Sequence, residues 1–325
     1  MPLDYPIKFE PILQERIWGG EKLYKLFGKA PKTVPVGESW EVSGIPNNIS
    51  IVANGSLSGK TLQELLDTYK ADFVGNKVYD RFGTKFPLLL KFIDAKSDLS
   101  VQLHPNDALG KQRHNSFGKE ELWYIVKAEK DSRLMFGFNQ ALTKEAYLEH
   151  LKDKTLSEVL HYQKIQEGDV YHIPQGRVHA IGAGVVLVEI QQSSDITYRL
   201  YDWDRKDSNG NARELHTNLA LDAIDFNIPH KFRTNYKIES NEYCPIVKSL
   251  NFKTGIIDLT TAFQSDSKDQ DSFKVYMCVA GSGHFCTKTD TIPIKTGETI
   301  FIPAKLGKYV IQPKKESMRL LQISV

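Results

Sequence analysis

The feature of this chain that most restricts its fold is a twelve-residue pattern that occurs twice. Residues Gly168–His179 and Gly297–Lys308 align without gaps, and each contains a glycine, an acidic residue, alternating strand residues and Ile-Pro. Each copy also follows a Tyr-containing run of strand-forming residues, ELWYIV in the first case and FKVYMCV in the second. Because self-similarity reveals repeated architecture, the sequence predicts two β units built on the same plan.

Most of the remaining sequence consists of short runs rich in Val, Ile, Phe and Tyr, separated by Gly, Pro, Asn and Asp. This punctuation is typical of strands and turns. The predicted strands include 39–45, 50–55, 87–95, 121–128, 169–174 and 185–192. Helical spacing occurs in three segments that each begin with threonine, a residue favoured at helix N-termini: Thr61–Tyr69, Thr143–Leu151 and Thr155–Leu160. The sequence therefore predicts a mainly β fold with a small helical insertion at about 140–162.

The predicted domain boundary lies near residues 230–240, where Asn227–His230 and a polar run separate the two copies of the pattern. We expect residues 1–235 to form the catalytic unit and residues 236–325 a smaller unit. The first copy ends in His179, whereas Lys308 occupies the matching position in the second. The second unit is therefore predicted to lack metal ligands. The polar segment Gln264–Ser272 is predicted to be a solvated loop within it.

Charge and composition exclude several classes of partner. The 42 basic and 40 acidic side chains give a net charge of +2, which supplies no broad electrostatic surface for nucleic acid or anionic membrane. The N-terminal residues do not resemble a targeting signal, and no segment approaches about 18 uninterrupted apolar residues. We expect a cytoplasmic protein that binds neither nucleic acid nor membrane; the sequence makes no prediction of oligomeric state. The three cysteines, which contain no CxxC pair, predict reduced thiols rather than a disulfide framework.

A group of potential metal ligands surrounds the first copy of the pattern. In the segment Leu99–Asp107, strand alternation places Gln102 and His104 on one face. Glu121 begins the next predicted strand, and His179 ends the hairpin. Two imidazoles, one carboxylate and one amide oxygen suit zinc, manganese, iron or cobalt and leave room for water or substrate. Such an open site is typical of catalytic rather than structural metal centres.

The motifs also carry a family resemblance. The repeated hairpin resembles that of cupins, which are double-sheet jelly rolls, and the string at 89–106 resembles the signature of short bacterial type I mannose-6-phosphate isomerases. Further matches extend along almost the whole chain: Arg16–Gly20, Gly37–Glu41, Gly118–Tyr124, Ile173–His179, Glu189–Arg199 and Tyr201–Arg205. The resemblance implies two cupin-like β-barrel units and an enzyme.

Position by position, the resemblance implies one divalent metal, zinc before manganese, cobalt or iron, on the four residues that spacing selects: Gln102, His104, Glu121 and His179. The family's lysine two residues before the ligand glutamate corresponds to Lys119. Longer members have Lys-Pro-Glu where this chain has Lys119-Glu120-Glu121, so Glu120 is a competing ligand. Strand alternation and the Leu-Trp-Tyr that follows favour Glu121.

The implied reaction interconverts mannose 6-phosphate and fructose 6-phosphate through an enediol, so the partner is a small sugar phosphate. The resemblance assigns catalytic positions to Lys119, Glu189 and Arg199. Glu189 or a water on the metal would move the proton. Arg199 and Lys119 would meet developing negative charge or the phosphate. The alternatives are a surface position for Lys119 and an ion pair of Arg199 with Asp195, Asp202 or Asp204.

Four other functions compete with this interpretation. A cupin that binds metal and sugar without turnover would need the ligands but not the three catalytic positions. An isomerase acting on a different hexose phosphate would use them all. A metal-dependent oxygenase is disfavoured, because such sites favour two histidines and a carboxylate without Gln102. Nucleotide chemistry ranks last, since the sequence has no Gly-rich phosphate loop.

Overall fold

The computed structural model describes residues 3–29, 35–206, 209–228, 231–314 and 317–325. Pro229 and His230, which belong to the predicted boundary, and the N-terminal Met1 and Pro2 lie outside the described residues. The strands up to residue 201 are β1 (Ile12–Gly20), β2 (Val36–Ile45), β3 (Asn48–Ile49), β4 (Leu88–Ala95), β5 (Val101–Leu103), β6 (Glu121–Ala128), β7 (Arg133–Phe138), β8 (Leu160–Lys164), β9 (Val170–Ile173), β10 (His179–Ile181), β11 (Val185–Gln192) and β12 (Tyr198–Tyr201).

The remaining strands are β13 (Tyr243–Lys248), β14 (Lys253–Leu259), β15 (Phe263–Asp266), β16 (Lys274–Ala280), β17 (Ser282–Cys286), β18 (Thr291–Lys295), β19 (Thr299–Ile302), β20 (Lys308–Pro313) and β21 (Met318–Ser324). The helices in the described residues are α1 (Lys22–Phe27), α2 (Leu62–Tyr69), α3 (Ala71–Val74), α4 (Asn76–Phe82), α5 (Asp107–His114), α6 (Lys144–Lys152) and α7 (Thr217–Ala220). None of these helices has the length and apolar character needed to span a membrane.

The N-terminal unit is a pair of antiparallel sheets. One has seven strands in the order β3-β2-β1-β4-β11-β6-β9, and the other has five in the order β12-β5-β10-β7-β8. The first copy of the repeated pattern crosses between the sheets, because β9 belongs to one and β10 to the other. His179, the first residue of β10, therefore lies where the chain enters the second sheet.

The C-terminal unit repeats this arrangement with a five-stranded sheet (β13-β14-β21-β16-β19) and a four-stranded sheet (β15-β20-β17-β18). Here β16 lies between β21 and β19, just as β6 lies between β11 and β9. The second copy of the pattern again crosses between sheets, from β19 to β20. The predicted fold class, mainly β with two jelly-roll units, is confirmed, with each unit formed by two separately hydrogen-bonded sheets.

The central strands β4 and β11 are buried along their entire length. Along β4, Leu88, Leu90 and Phe92 pack into the core shared with the C-terminal unit, whereas Ile93 and Ala95 pack between the two N-terminal sheets. A strand covered on both faces needs apolar residues at nearly every position, which explains the continuous run PLLLKFIDA. Lys91 is the single charge before Asp94 in this run.

The two units share the largest hydrophobic core. It joins residues of the seven-stranded sheet to Val275, Met277 and Leu321 of the C-terminal five-stranded sheet and to side chains of α2–α4. Near the N-terminus, Ile7 forms a β-bridge with Phe301 of β19. The predicted division at 235/236 remains a prediction, and the two parts pack through this common core.

The predicted helices are largely confirmed where a threonine caps them. Thr61 forms a capping box with Glu64 at the start of α2, and the Thr143 side chain accepts a hydrogen bond from the Ala146 backbone N–H at the start of α6. The third prediction is only partly right, because a 3₁₀ turn at Leu156–Glu158 is followed directly by β8.

One strand prediction is wrong, and one loop prediction is wrong in part. The segment 50–55 forms only isolated bridges at Ile51 and Val52, and a 3₁₀ turn begins at Gly55. The start of the predicted loop Gln264–Ser272 belongs to β15, which pairs with β20. In both cases the presence or absence of a partner strand decides the outcome.

Candidate metal centre

The site lies between the two N-terminal sheets, and each sheet contributes a row of polar side chains. In the five-stranded sheet, Gln102 pairs with His179 on one side and with Arg199 on the other. In the seven-stranded sheet, Glu189 pairs with both Lys91 and Trp123. The rows line a cavity of about 430 Å³, and its polar side chains include Glu38, Lys91, Gln102, Lys119, Glu189 and Arg199.

His104, Glu121 and His179, which we call the metal group, have donor atoms that all lie within 4.8 Å of one another. His104 Nε2 is 3.1 Å from Glu121 Oε1, and His179 Nε2 is 3.6 Å from Glu121 Oε2. All three residues are at most 1% exposed. Both Nε2 atoms and both Glu121 oxygens lack a hydrogen-bond partner among the described residues. Four buried polar atoms without hydrogen bonds at one point, of which only Glu121 Oε1 has an ion-pair partner (Lys119) among the described residues, are costly unless a cation binds them.

The tautomers of the two histidines are fixed by backbone carbonyls. His104 Nδ1 lies 2.9 Å from the Ile196 carbonyl oxygen, and His179 Nδ1 lies 2.8 Å from that of Arg177. A carbonyl can only accept, so each Nδ1 carries the proton and each Nε2 presents a lone pair to the site. Burial lowers the pKa of His104 to about 4 and also lowers the pKa of His179. Both rings are neutral near pH 7, the form that binds metals.

Glu121 belongs to the metal group, whereas the neighbouring Glu120 does not. Burial would raise the pKa of the Glu121 carboxyl, but the nearby Lys119 ammonium opposes this effect, and that pKa lies well below its usual range. Lys119 is 5% exposed, and its Nζ lies 3.1 Å from Glu121 Oε1, so the alternative of a surface lysine is wrong. The Glu120 carboxylate instead binds His172 and Asn251.

The donor set fits a divalent cation of the kind that the sequence indicates. It combines two imidazole nitrogens with the Glu121 carboxylate, which pairs with Lys119 but has no hydrogen-bond partner among the described residues, and Gln102 lines the adjoining cavity. Among the described residues, the Gln102 Oε1 atom accepts one hydrogen bond, from Ser100 Oγ at 3.2 Å, which leaves a second lone pair. Nitrogen and oxygen ligands beside an open cavity are typical of catalytic sites for zinc and related metals.

Glu189 is held at both carboxylate oxygens. Lys91 Nζ donates to Oε1 at 2.8 Å, and Trp123 Nε1 donates to Oε2 at 2.9 Å. Burial opposes the charge on Lys91, but Glu189 and Glu38 favour it, and the pKa of Lys91 is raised overall. The sequence analysis missed Lys91 and Glu38. The available signal was a charged residue inside a continuous apolar strand, which is rarely buried without a partner.

Arg199 extends into the cavity without an acidic partner. Its Nη1 donates to the Glu214 carbonyl oxygen at 2.7 Å, and its Nε is buried without a partner among the described residues. In the part of the chain that the structure describes, no carboxylate lies within 4.0 Å of its guanidinium group. Asp202 binds Arg205 and Arg213 instead. Arg213, which also lines the cavity, was not selected by the sequence analysis.

The C-terminal unit has different residues at the equivalent positions. Lys274 pairs with Ile302 as Glu121 pairs with Ile173, so a lysine stands at the position of the carboxylate ligand. Tyr276 hydrogen-bonds Gln322, its partner across the strands, as Trp123 does Glu189. The space between these sheets is filled by a hydrophobic core that includes Phe285, Tyr309 and Ile311.

Paired antiparallel sheets with an imidazole and carboxylate group at the crossing hairpin define a cupin with a metal-binding type of site. Comparisons with known proteins identify the branch. Residues 7–130 match the family described as phosphomannose isomerase type I, catalytic domain, and residues 244–321 match the mannose-6-phosphate isomerase cupin domain. Mannose-6-phosphate isomerase ManA of Bacillus subtilis is 36% identical over 94% of this chain and 96% of its own length. The chain therefore belongs to the type I mannose-6-phosphate isomerase family.

Other relatives agree with this assignment. The mannose-6-phosphate isomerase of Streptococcus mutans is 36% identical over 69% of both proteins. The crystal structure of mannose 6-phosphate isomerase from Bacillus subtilis superimposes with a TM-score of 0.87 at 32% identity, covering 98% of this chain and 99% of the other. Phosphomannose isomerase from Salmonella typhimurium shares the fold, with a TM-score of 0.79 at 17% identity over 98% of each chain.

Proposed function

We propose that the protein is an aldose–ketose isomerase that interconverts mannose 6-phosphate and fructose 6-phosphate. The observation that carries this proposal is the buried metal group opening onto a cavity lined by Lys119, Glu189 and Arg199. A protein that only bound metal and sugar would have no use for these three charged side chains together. Relatives named mannose-6-phosphate isomerase cover nearly the whole chain.

The proposed ligands of one divalent cation are Gln102, His104, Glu121 and His179. Zinc is the first candidate because the set combines two imidazoles with oxygen donors, and manganese, cobalt and iron are the alternatives. A cation held there would act as a Lewis acid toward the carbonyl and hydroxyl oxygens of the sugar. The carbonyls of Ile196 and Arg177 keep both imidazoles in the tautomer that this role requires.

The proposed catalytic residues are Glu189, Arg199 and Lys119. Isomerisation moves one proton between C1 and C2 of the sugar, and Glu189 is the carboxylate in the cavity wall proposed to carry it. Lys91 and Trp123 orient this carboxylate by binding one oxygen each. Arg199 and Lys119 supply positive charge for the sugar phosphate and for negative charge that develops on its oxygens.

A coupled assay of fructose 6-phosphate formation from mannose 6-phosphate tests this function. The purified protein is assayed directly, after chelation, and after addition of Zn²⁺ or Mn²⁺. We expect chelation to abolish turnover and one of the metals to restore it. Absence of turnover under every condition, with one tightly bound ion per chain, would reject the substrate in favour of another hexose phosphate or a sugar-binding role.

A further inference from the structure

Three consecutive residues lead into β6 and point to alternate sides of the chain: Lys119 and Glu120, which precede the strand, and Glu121, its first residue. Lys119 and Glu121 face the candidate metal centre, and their charged groups are 3.1 Å apart. Glu120 points away from the metal centre but is also buried, with only 8% of its surface exposed. A buried carboxylate next to a metal ligand requires partners of its own, because an unpaired buried charge is strongly destabilising.

All the polar groups of Glu120 are satisfied. Its backbone N–H donates to Gln192 Oε1 at 2.9 Å, and its carbonyl oxygen accepts from the Gln192 backbone N–H at 3.1 Å. His172 Nε2 lies 2.6 Å from one carboxylate oxygen. Asn251 Nδ2 donates to the other oxygen at 2.7 Å. Glu120 is thus fixed from both its backbone and its side chain.

Asn251 reaches this position from the C-terminal unit. It lies between β13 and β14 and is 8% exposed. Its Oδ1 accepts a hydrogen bond from Arg81 Nη2 at 3.0 Å, and Arg81 Nη1 also donates to the Leu250 carbonyl oxygen. Because Oδ1 binds a guanidinium and Nδ2 binds a carboxylate, the orientation of the amide is determined by its surroundings.

We propose that Asn251 is a positioning residue for the metal centre, acting through Glu120 to fix the backbone that aims Lys119 and Glu121 into the site. This inference rests on the proposed function, since it takes Glu121 as a metal ligand. Residues that orient a metal ligand typically contribute about 10–100-fold to metal affinity. The C-terminal unit, which carries no equivalent metal group in its described residues, would thereby contribute directly to the active site of the other unit.

The decisive variant is Asn251→Asp, which keeps the shape of the side chain and the acceptor for Arg81 but replaces the donor to Glu120 with a second carboxylate oxygen. We expect the Kd for Zn²⁺, measured on chelated protein by competition with a chromophoric chelator, to rise about 10–100-fold. Combining Asn251→Asp with Glu120→Gln exchanges donor and acceptor, and His172 can still bind the remaining amide oxygen. The Kd is expected to return to within about 3-fold of the wild-type value, since the paired geometry is restored.

Asn139→Asp is the matched control, because the hydrogen bonds that Asn139 Nδ2 donates within the described residues go to the backbone carbonyls of Glu158 and Leu160. It should leave the zinc affinity unchanged. Wild-type affinity in Asn251→Asp, or failure of Glu120→Gln to restore it, would overturn the positioning role while leaving the metal centre intact. If Asn251→Asp does not fold, Asn251→Ala is measured with the same expectation. A wild-type protein that binds neither Zn²⁺ nor Mn²⁺ would reject the metal centre itself, and this inference with it.

Discussion

His104 links the chemistry of the site to the pH dependence of stability. Its pKa of about 4 in the folded protein lies below the ordinary value of 6.5, so between these values only the unfolded chain binds the proton. The contribution of His104 to the free energy of unfolding of metal-free protein should therefore fall by about 3 kcal/mol as the pH drops from about 6.5 to about 4. Urea titrations at several pH values in this range give the slope of the unfolding free energy against pH. In His104→Gln this slope should be shallower, by the equivalent of up to one bound proton. Equal slopes in the two proteins would contradict the assignment of a neutral, buried His104.

Arg199 is the residue whose removal should separate catalysis from folding. Its partner in the described structure is a backbone carbonyl, so Arg199→Ala strands no buried carboxylate. Loss of a donor that stabilises developing charge typically lowers kcat by about 100–1,000-fold, and we expect this loss with metal content unchanged. Arg113→Ala removes a guanidinium paired with the exposed Asp222 and should retain activity. A rise in KM with kcat preserved would restrict Arg199 to substrate binding.

Strand β2 shows how one element serves two environments. Glu38 and Trp40 line the cavity, whereas Ser39 and Glu41 point to the opposite side and join a buried polar cluster. There the Glu41 carboxylate binds Lys29 and accepts a hydrogen bond from Thr299 of β19 at 3.1 Å. The two-residue period of the strand thus connects the cavity wall on one face to the C-terminal unit on the other.

This buried pair predicts an asymmetric response to mutation. Lys29→Met leaves the Glu41 carboxylate buried without its cation, and breaking such a pair typically destabilises a protein by about 3–5 kcal/mol. Adding Glu41→Gln removes the uncompensated charge and should recover most of that loss. Urea unfolding of the single and double variants measures both effects. A double variant as unstable as the single would mean that packing, rather than charge, is responsible.

At the scale of the whole molecule, the two units depend on each other through their common core. The seven-stranded sheet packs Leu90, Phe92 and Val188 into the same cluster as Val275 and Met277 of the C-terminal unit. A large apolar face is stable only when another layer covers it. The second unit is therefore a structural partner of the first, whatever the location of the boundary between them.

A fragment containing residues 1–235 tests this dependence. With the face of its large sheet uncovered, we expect it to aggregate or to unfold without a cooperative transition, while the full chain unfolds cooperatively. Size-exclusion chromatography and urea unfolding followed by circular dichroism distinguish the outcomes. Co-expression with residues 236–325 should restore a soluble complex. A monomeric 1–235 fragment with full stability would show that the shared core is dispensable.

Local patterns in the sequence were enough to predict the fold class, two of the helices and three side chains that the structure brings together, His104, Glu121 and His179. These depend on local chemistry: a repeated strand and turn pattern, threonine caps, and strand alternation that directs Gln102 and His104 to one face. The surface position considered for Lys119 was wrong because a single charged residue carries no local signal of burial. The choice between Glu120 and Glu121 likewise depends on which partners each meets.

The contacts of Lys91, Glu38 and Asn251 depend on how distant parts of the chain pack together. Strand pairing brings Lys91 beside Glu189, 98 positions away along the chain, and no local pattern encodes such a distance. Pairing also decided the secondary structure of weak segments such as 50–55, whose composition permits either strand or loop. Local sequence fixes the direction in which a side chain points from its own strand. The neighbours that it meets depend on contacts between distant elements, which form only when the whole chain has folded.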